Sequence, residues 1–196
     1  DALMFHPAYN EKNFLTAKII SERRNGNIHA LIPFSNSKSI KFFANLFDIN
    51  KFINIYKFIN FKAILLAIYQ TLKQLPKLKY DISKGIEIFI NDIEIGGLIY
   101  DEFLRKTDMH TYRKISFAYL LFIYRNLYLY YVYKDVINKN EITDIVYGHN
   151  VYGYWGLLVA AATSLDKDIK MWNWLNLGKN KLNIINYTAQ MPVPKP

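Results

Sequence analysis

The chain has 196 residues, no cysteine and a formal net charge of +9. That length holds one good core, and 52% hydrophobic with 21% charged residues is a globular mixture, not a disordered one. The missing thiols exclude disulfides, thiolate metal sites and cysteine nucleophiles, while the positive charge admits anionic partners.

The basic residues are dispersed. The densest pair, Arg23-Arg24, closes a helix-like segment, where cations suit the helix dipole. The chain begins at Asp1 without a methionine and reads as a processed or excised piece, with no secretory signal at its start. A cytoplasmic location is expected.

Residues 2–5 (ALMF) read as a short strand ending at HPAYN, with His6 just after it. EKNFLTAKIISERRNG then predicts an amphipathic helix closed by Gly26. NIHALIP (27–33) is a second strand, and residues 35–48 a helix with Ile40, Phe43, Ala44 and Phe47 on one face. KFINIYKF (51–58) is a third strand and residues 60–75 a further helix stopped before Pro76.

The register then breaks. Ile86, Ile88 and Ile90 alternate, a second apolar piece reaches Gly96-Gly97, and LIYDEFLRK predicts a helix. Residues 116–137 form the most apolar segment. Arg125 and Asn126 interrupt it, and a spanning helix needs about 20 apolar residues, so a long, mostly buried helix is expected. A strand at 141–150, a helix at 151–166, a strand at 168–174 and one more at 182–188 complete the order.

Strands alternating with helices predict an α/β fold: a Rossmann-like, mainly parallel sheet with helices on both faces. One domain over residues 1–188 is expected, followed by a proline-rich tail or linker at 189–196.

The stretch YGHNVYGYWG (147–156) falls where a strand turns into a helix. Its glycine spacing fits neither the dinucleotide fingerprint nor a phosphate loop. Its place remains informative, because ligands of open α/β sheets sit outside the carboxyl ends of the strands. There His149 could act as a general base or hydrogen-bond donor, beside Asn150. Tyr152, Tyr154 or Trp155 could stack on a sugar. The competing reading keeps Asn150 as a helix cap, the glycines as points of close helix–sheet packing and the aromatics as core. His6 shares the same sheet edge by topology. His29 within its strand reads as structural, and His110, opening the long helix, as exposed. No zinc spacing appears, and Asp101 and Glu102, adjacent on a helix, point different ways, so no paired-carboxylate site is expected. Nucleic-acid modules are absent from the sequence.

GIEIFINDIEIGGLIYDEFLRKT resembles a segment of bacterial surface-carbohydrate and capsule-polysaccharide biosynthesis proteins. The matching residues are Ile95, Gly96, Leu98, Ile99, Tyr100, Asp101, Leu104 and Arg105. Where an acidic residue is expected after the first glycine, this chain has Gly97. The order of elements is similar too: this string, a long helix, then strand, GHN turn and helix. Those proteins look like glycosyltransferases of the two-Rossmann type. The resemblance implies the acceptor-side half of such an enzyme, in which an acceptor hydroxyl attacks a nucleotide-activated sugar.

On that reading His149 is the base or an acceptor ligand, with His6, Asn150, Tyr152 and Tyr154 around the carbohydrate acceptor. Arg105 pairs with Asp101 or contacts an anionic acceptor. No cofactor or metal is expected in this domain; the nucleotide-sugar donor belongs to the full enzyme. The alternative is a non-catalytic α/β module that binds a partner protein or an anionic membrane, through the tyrosine-rich helix and the basic surface. Either reading allows peripheral association at the inner face of the membrane.

Overall fold

The computed structural model describes residues 7–32, 38–55, 58, 60–76, 87–112, 116–147, 153–165, 167–176 and 182–187. The fold is α/β, and it divides into two compact units.

The first unit takes residues 1–59, 143–148 and 169–190. Helix α1 (Pro7–Arg24) starts further upstream than the apolar pattern indicates. Proline suits a first helical position, since its missing N–H would have no helical partner there. The helix ends through Asn25, not Gly26. Asn25 takes the left-handed φ of 50°, and the Gly26 N–H returns to the Ser21 carbonyl at 3.0 Å.

Strand β1 (His29–Ile32), helix α2 (Lys38–Leu46) and strand β2 (Lys51–Asn54) follow, and β1 pairs parallel with β2 from His29↔Lys51 to Ile32↔Asn54. This is the right length for a helix-linked parallel pair. Ala30, Ala44 and Ile49 form its buried centre, with Phe14, Ile28, Phe47 and Phe52 packed around them. A second sheet joins β5 (Asp144–Val146), β6 (Lys170–Asn176) and β7 (Leu182–Tyr187) in that order, parallel and then antiparallel. Between β5 and β6 the chain passes through a helix of the second unit.

The second unit takes residues 60–142, 149–168 and 191–196. Helix α3 (Phe61–Gln74) is capped by Asn60, whose side-chain oxygen accepts from the Ala63 N–H at 3.3 Å. Ala63 and Ala67 are buried on the face that meets α5 (Phe117–Lys139). The Asn60 amide also donates to the Asp135 carboxylate and ties the start of α3 to the far end of α5.

Strands β3 (Phe89–Ile90) and β4 (Ile93–Glu94) make a minimal hairpin. Its two-residue turn places Asn91 and Asp92 at φ of 50° and 62°, the left-handed pair that matches strand twist. Helix α4 (Gly96–Thr107) and helix α6 (Gly153–Thr163) pack with α5.

Nine residues of α5 are buried, among them Tyr119, Tyr130 and Tyr133. Its interrupting Asn126 is buried as well, with its amide donating to the Phe122 carbonyl at 2.9 Å. Of the six tyrosines of this segment three are buried and three half-buried. No helix among the described residues is long and apolar enough to cross a membrane.

The sheets differ in scale from the expected one. The described strands run two to seven residues and form sheets of two, two and three strands. Two pairings are parallel, and both join strands separated by a helix in the chain.

Candidate functional site

The string of residues 95–105 folds as the close of the β3–β4 hairpin and the first three turns of α4. Ile95 and Ile99 are fully buried, and the Ile95 N–H donates to the Ile88 carbonyl at 2.9 Å. Gly97 has a defined role where an acid was expected. Its N–H donates to Glu94 Oε1 at 2.9 Å, so a carboxylate from the preceding strand serves the helix N-terminus. A Cβ on residue 97 would sit 3.2 Å from Glu94 Oε2. The carboxylate is thus supplied from three residues upstream of Gly97.

Helical geometry separates Asp101 from Glu102 as the sequence suggests. Asp101 faces outward, and partial desolvation raises its pKa above the ordinary carboxylate value. Glu102 has no exposed surface. Arg105, for which Asp101 or an anionic acceptor was the expected partner, pairs with Glu102, with Nη2 donating to Oε2 at 2.8 Å. The inward turn of Arg105 follows the buried carboxylate three residues back. Lys106 Nζ lies 3.2 Å from Oε1, an ion contact without hydrogen-bond geometry. Lys106 also lies 5.3 Å from the Phe122 ring centre.

The start of α6 closes over this group. A Cβ built on Gly153 would lie 2.9 Å from Glu102 Cγ, 3.1 Å from Glu102 Cβ and 3.3 Å from Asn126 Oδ1. A side chain at this position would force Glu102 to shift. The close approach that the sequence assigned to helix–sheet packing is therefore a helix–helix contact, with α4 and α5 as partners.

An adjoining aromatic cluster holds α4 to the start of α5. The Tyr112 N–H donates to the Tyr100 hydroxyl at 3.0 Å, and the Tyr112 hydroxyl donates to Ser116 Oγ at 2.7 Å. Ser116 caps α5. Phe103 lies 4.7 Å from Tyr119 and 5.3 Å from Phe122 between ring centres. Burial, with the neighbouring Tyr100, Tyr112 and Asp101, pushes the Tyr119 hydroxyl well above its usual range, so it stays neutral.

Of the expected site residues, Asp101 and Arg105 lie on α4, and Tyr154 on the first turn of α6. His6, His149, Asn150 and Tyr152 fall outside the described residues. Gly153, one residue beyond Tyr152 in the chain, seats the end of that corner on α4. His29 lies in β1 opposite Lys51, and burial together with that lysine lowers its pKa. His110 is exposed before α5, not at its first residue.

Sequence reasoning passed over Glu102 and Asn126. The signal for Glu102 was its spacing of three and four residues from Arg105 and Lys106, which lets one carboxylate meet two cations on a helix. Among the described residues no group of three or more acidic or histidine side chains gathers around a common point. Comparison with family models, with curated proteins and with solved structures finds no match to this chain.

Proposed function

We propose that the chain is the acceptor-side domain of a glycosyltransferase of bacterial surface-polysaccharide biosynthesis. In this reading it belongs to a two-domain enzyme, and a nucleotide-activated sugar is held by another domain. The parallel pairs β1–β2 and β5–β6 are then parts of one Rossmann-like sheet. His149 serves as general base or acceptor ligand, and Asn150, Tyr152, Tyr154 and His6 are further acceptor ligands. On this reading Arg105, paired with Glu102, also contacts an acidic or phosphorylated acceptor.

One observation carries this reading. The two segments that support the resemblance, 95–105 and the strand–GHN–helix corner, are some fifty residues apart in the chain. They meet where Gly153 sits on the Glu102 side chain. The contact supports an acceptor cleft built from both segments.

Saturation-transfer NMR with a panel of neutral, acidic and phosphorylated saccharides tests it. The account expects saccharide signals with the native chain and their loss in His149→Ala at unchanged fold. Saccharide binding that survives His149→Ala would remove the site assignment, and no saccharide signal with any class would remove the function.

A further inference from the structure

Helix α3 carries a second apolar face that its packing does not use. Ala63 and Ala67 point inward to the core, while Phe61, Leu65, Ile68, Leu72 and Leu75 lie on the other side, between 41% and 72% exposed. Their spacing of four, three, four and three places them in one stripe along the helix. Tyr69 borders the stripe at 55% exposed. Single exposed leucines need no explanation, but a continuous stripe on a well-capped helix does.

The charges that α3 itself carries have one sign; Asp135 of α5, at the α3 N-cap, is paired with Lys139. Lys62 and Lys73 are exposed, and the sequence FKAILLAIYQTLKQ contains no acidic residue. Lys73 Nζ lies 4.9 Å from the Tyr69 ring centre, its stem laid along the border of the apolar face. The whole chain carries +9.

We infer that the outer face of α3 docks this protein on an anionic bilayer surface, with the stripe entering the acyl boundary and Lys62 and Lys73 meeting lipid phosphates. A 14-residue helix is about 21 Å long, too short to span, and its inner side is already held by α5, so it lies in the plane of the interface. Apolar residues on one side, an aromatic at the border and only cations on the helix beside them are what such a surface attracts.

A second copy of the chain is the competing occupant, and charge disfavours it. Antiparallel pairing about the centre of the stripe puts Lys62 of one copy beside Lys73 of the other, and parallel pairing offers neither lysine an acidic partner on α3. No acid on α3 offsets either arrangement. This inference does not depend on the saccharide reading. It moves the membrane-facing role from the tyrosine-rich α5, none of whose tyrosines is exposed, to α3.

The test is co-sedimentation with vesicles of phosphatidylcholine alone and of phosphatidylcholine mixed with phosphatidylglycerol. The native chain is expected to bind the mixed vesicles and to be weakened by salt. Leu65→Gln with Leu72→Gln should lower that binding by roughly tenfold or more, since two side chains leave the apolar interface. Both positions are exposed, so helicity by circular dichroism should not change. Lys62→Gln with Lys73→Gln should reduce the preference for phosphatidylglycerol. Leu121→Gln, exposed on α5, should bind as the native chain does.

Absence of native binding to the mixed vesicles would overturn the inference. So would binding that the α3 variants leave intact, or loss with Leu121→Gln alone. A lipid-free dimer dissolved by Leu65→Gln with Leu72→Gln would assign the stripe to a second copy instead.

Discussion

Glu102 and Asp144 are two withdrawn carboxylates held in opposite ways. Glu102, in the helical unit, takes both its cations from the next turn of its own helix. Asp144, on β5, gathers partners from across the chain. Trp172 Nε1 on β6 donates to Oδ1 at 2.7 Å, Thr143 Oγ1 donates to Oδ2 at 2.8 Å, and Arg24 at the end of α1 donates to Oδ1. The first arrangement is local and needs a lid, which Gly153 provides. The second is a tie between segments and stays partly wet, with the Asp144 side chain 19% exposed. A local pair fixes a helix face, whereas a long-range cluster fixes how segments meet.

Breaking the covered carboxylate should have the largest effect. Glu102→Ala leaves two cations and a cavity under α6, at a cost of about 3 kcal/mol in urea unfolding. Its exposed neighbour Asp101→Ala should move stability by less than about 0.5 kcal/mol. Comparable losses for the two would erase the distinction between them.

Asp144→Asn removes charged hydrogen bonds and should cost about 2 kcal/mol at neutral pH. Its pH dependence sharpens the contrast. Burial alone would raise the Asp144 pKa, but the Trp172, Thr143 and Arg24 hydrogen bonds and the Arg24 charge outweigh it and hold the value below the ordinary one. The folded state therefore binds the proton more weakly than the unfolded chain. The stabilisation is present above the unfolded value, about 3.9, and is lost as pH falls through the lower folded value. Native and Asp144→Asn stabilities should converge in acid, and a constant gap down to acid pH would contradict the pairing.

Smaller again, Asn60→Ala should cost about 1 kcal/mol through the lost α3 cap, with part of the effect from the freed Asp135. Smallest are the exposed α3 positions. Leu65→Gln should change stability by less than about 0.5 kcal/mol, because its side chain supports a surface and not the core.

The same local-versus-distant divide governs what was legible in the sequence. Every helix among the described residues was readable, because periodicity and stop signals are local. The Glu102 pairs were readable in principle by their spacing, though attention fell on Asp101. The start of α1 was missed because Pro7 looked like the end of a strand, and proline serves both. Gly26 looked like the helix terminator, but Asn25 takes the left-handed position that asparagine also tolerates. Asn91-Asp92 was a hairpin signal passed over for want of glycine.

The Trp172–Asp144–Arg24 tie was not legible at all. Its members stand 28 and 120 residues from Asp144, and no short-range pattern encodes such a meeting. The same holds for Gly153: its need for close packing could be read, but its partner could not.

That partner is the centre of the account, and a double-mutant cycle between Gly153→Ala and Glu102→Ala in urea unfolding tests it most directly. Alone, Gly153→Ala forces its Cβ to within 2.9 Å of Glu102 Cγ and should cost about 2 kcal/mol. With Glu102 shortened the clash eases, so the double variant should be more stable than the sum of the two losses by about 1 kcal/mol. Additive losses, within about 0.4 kcal/mol, would mean that the start of α6 does not rest on Glu102.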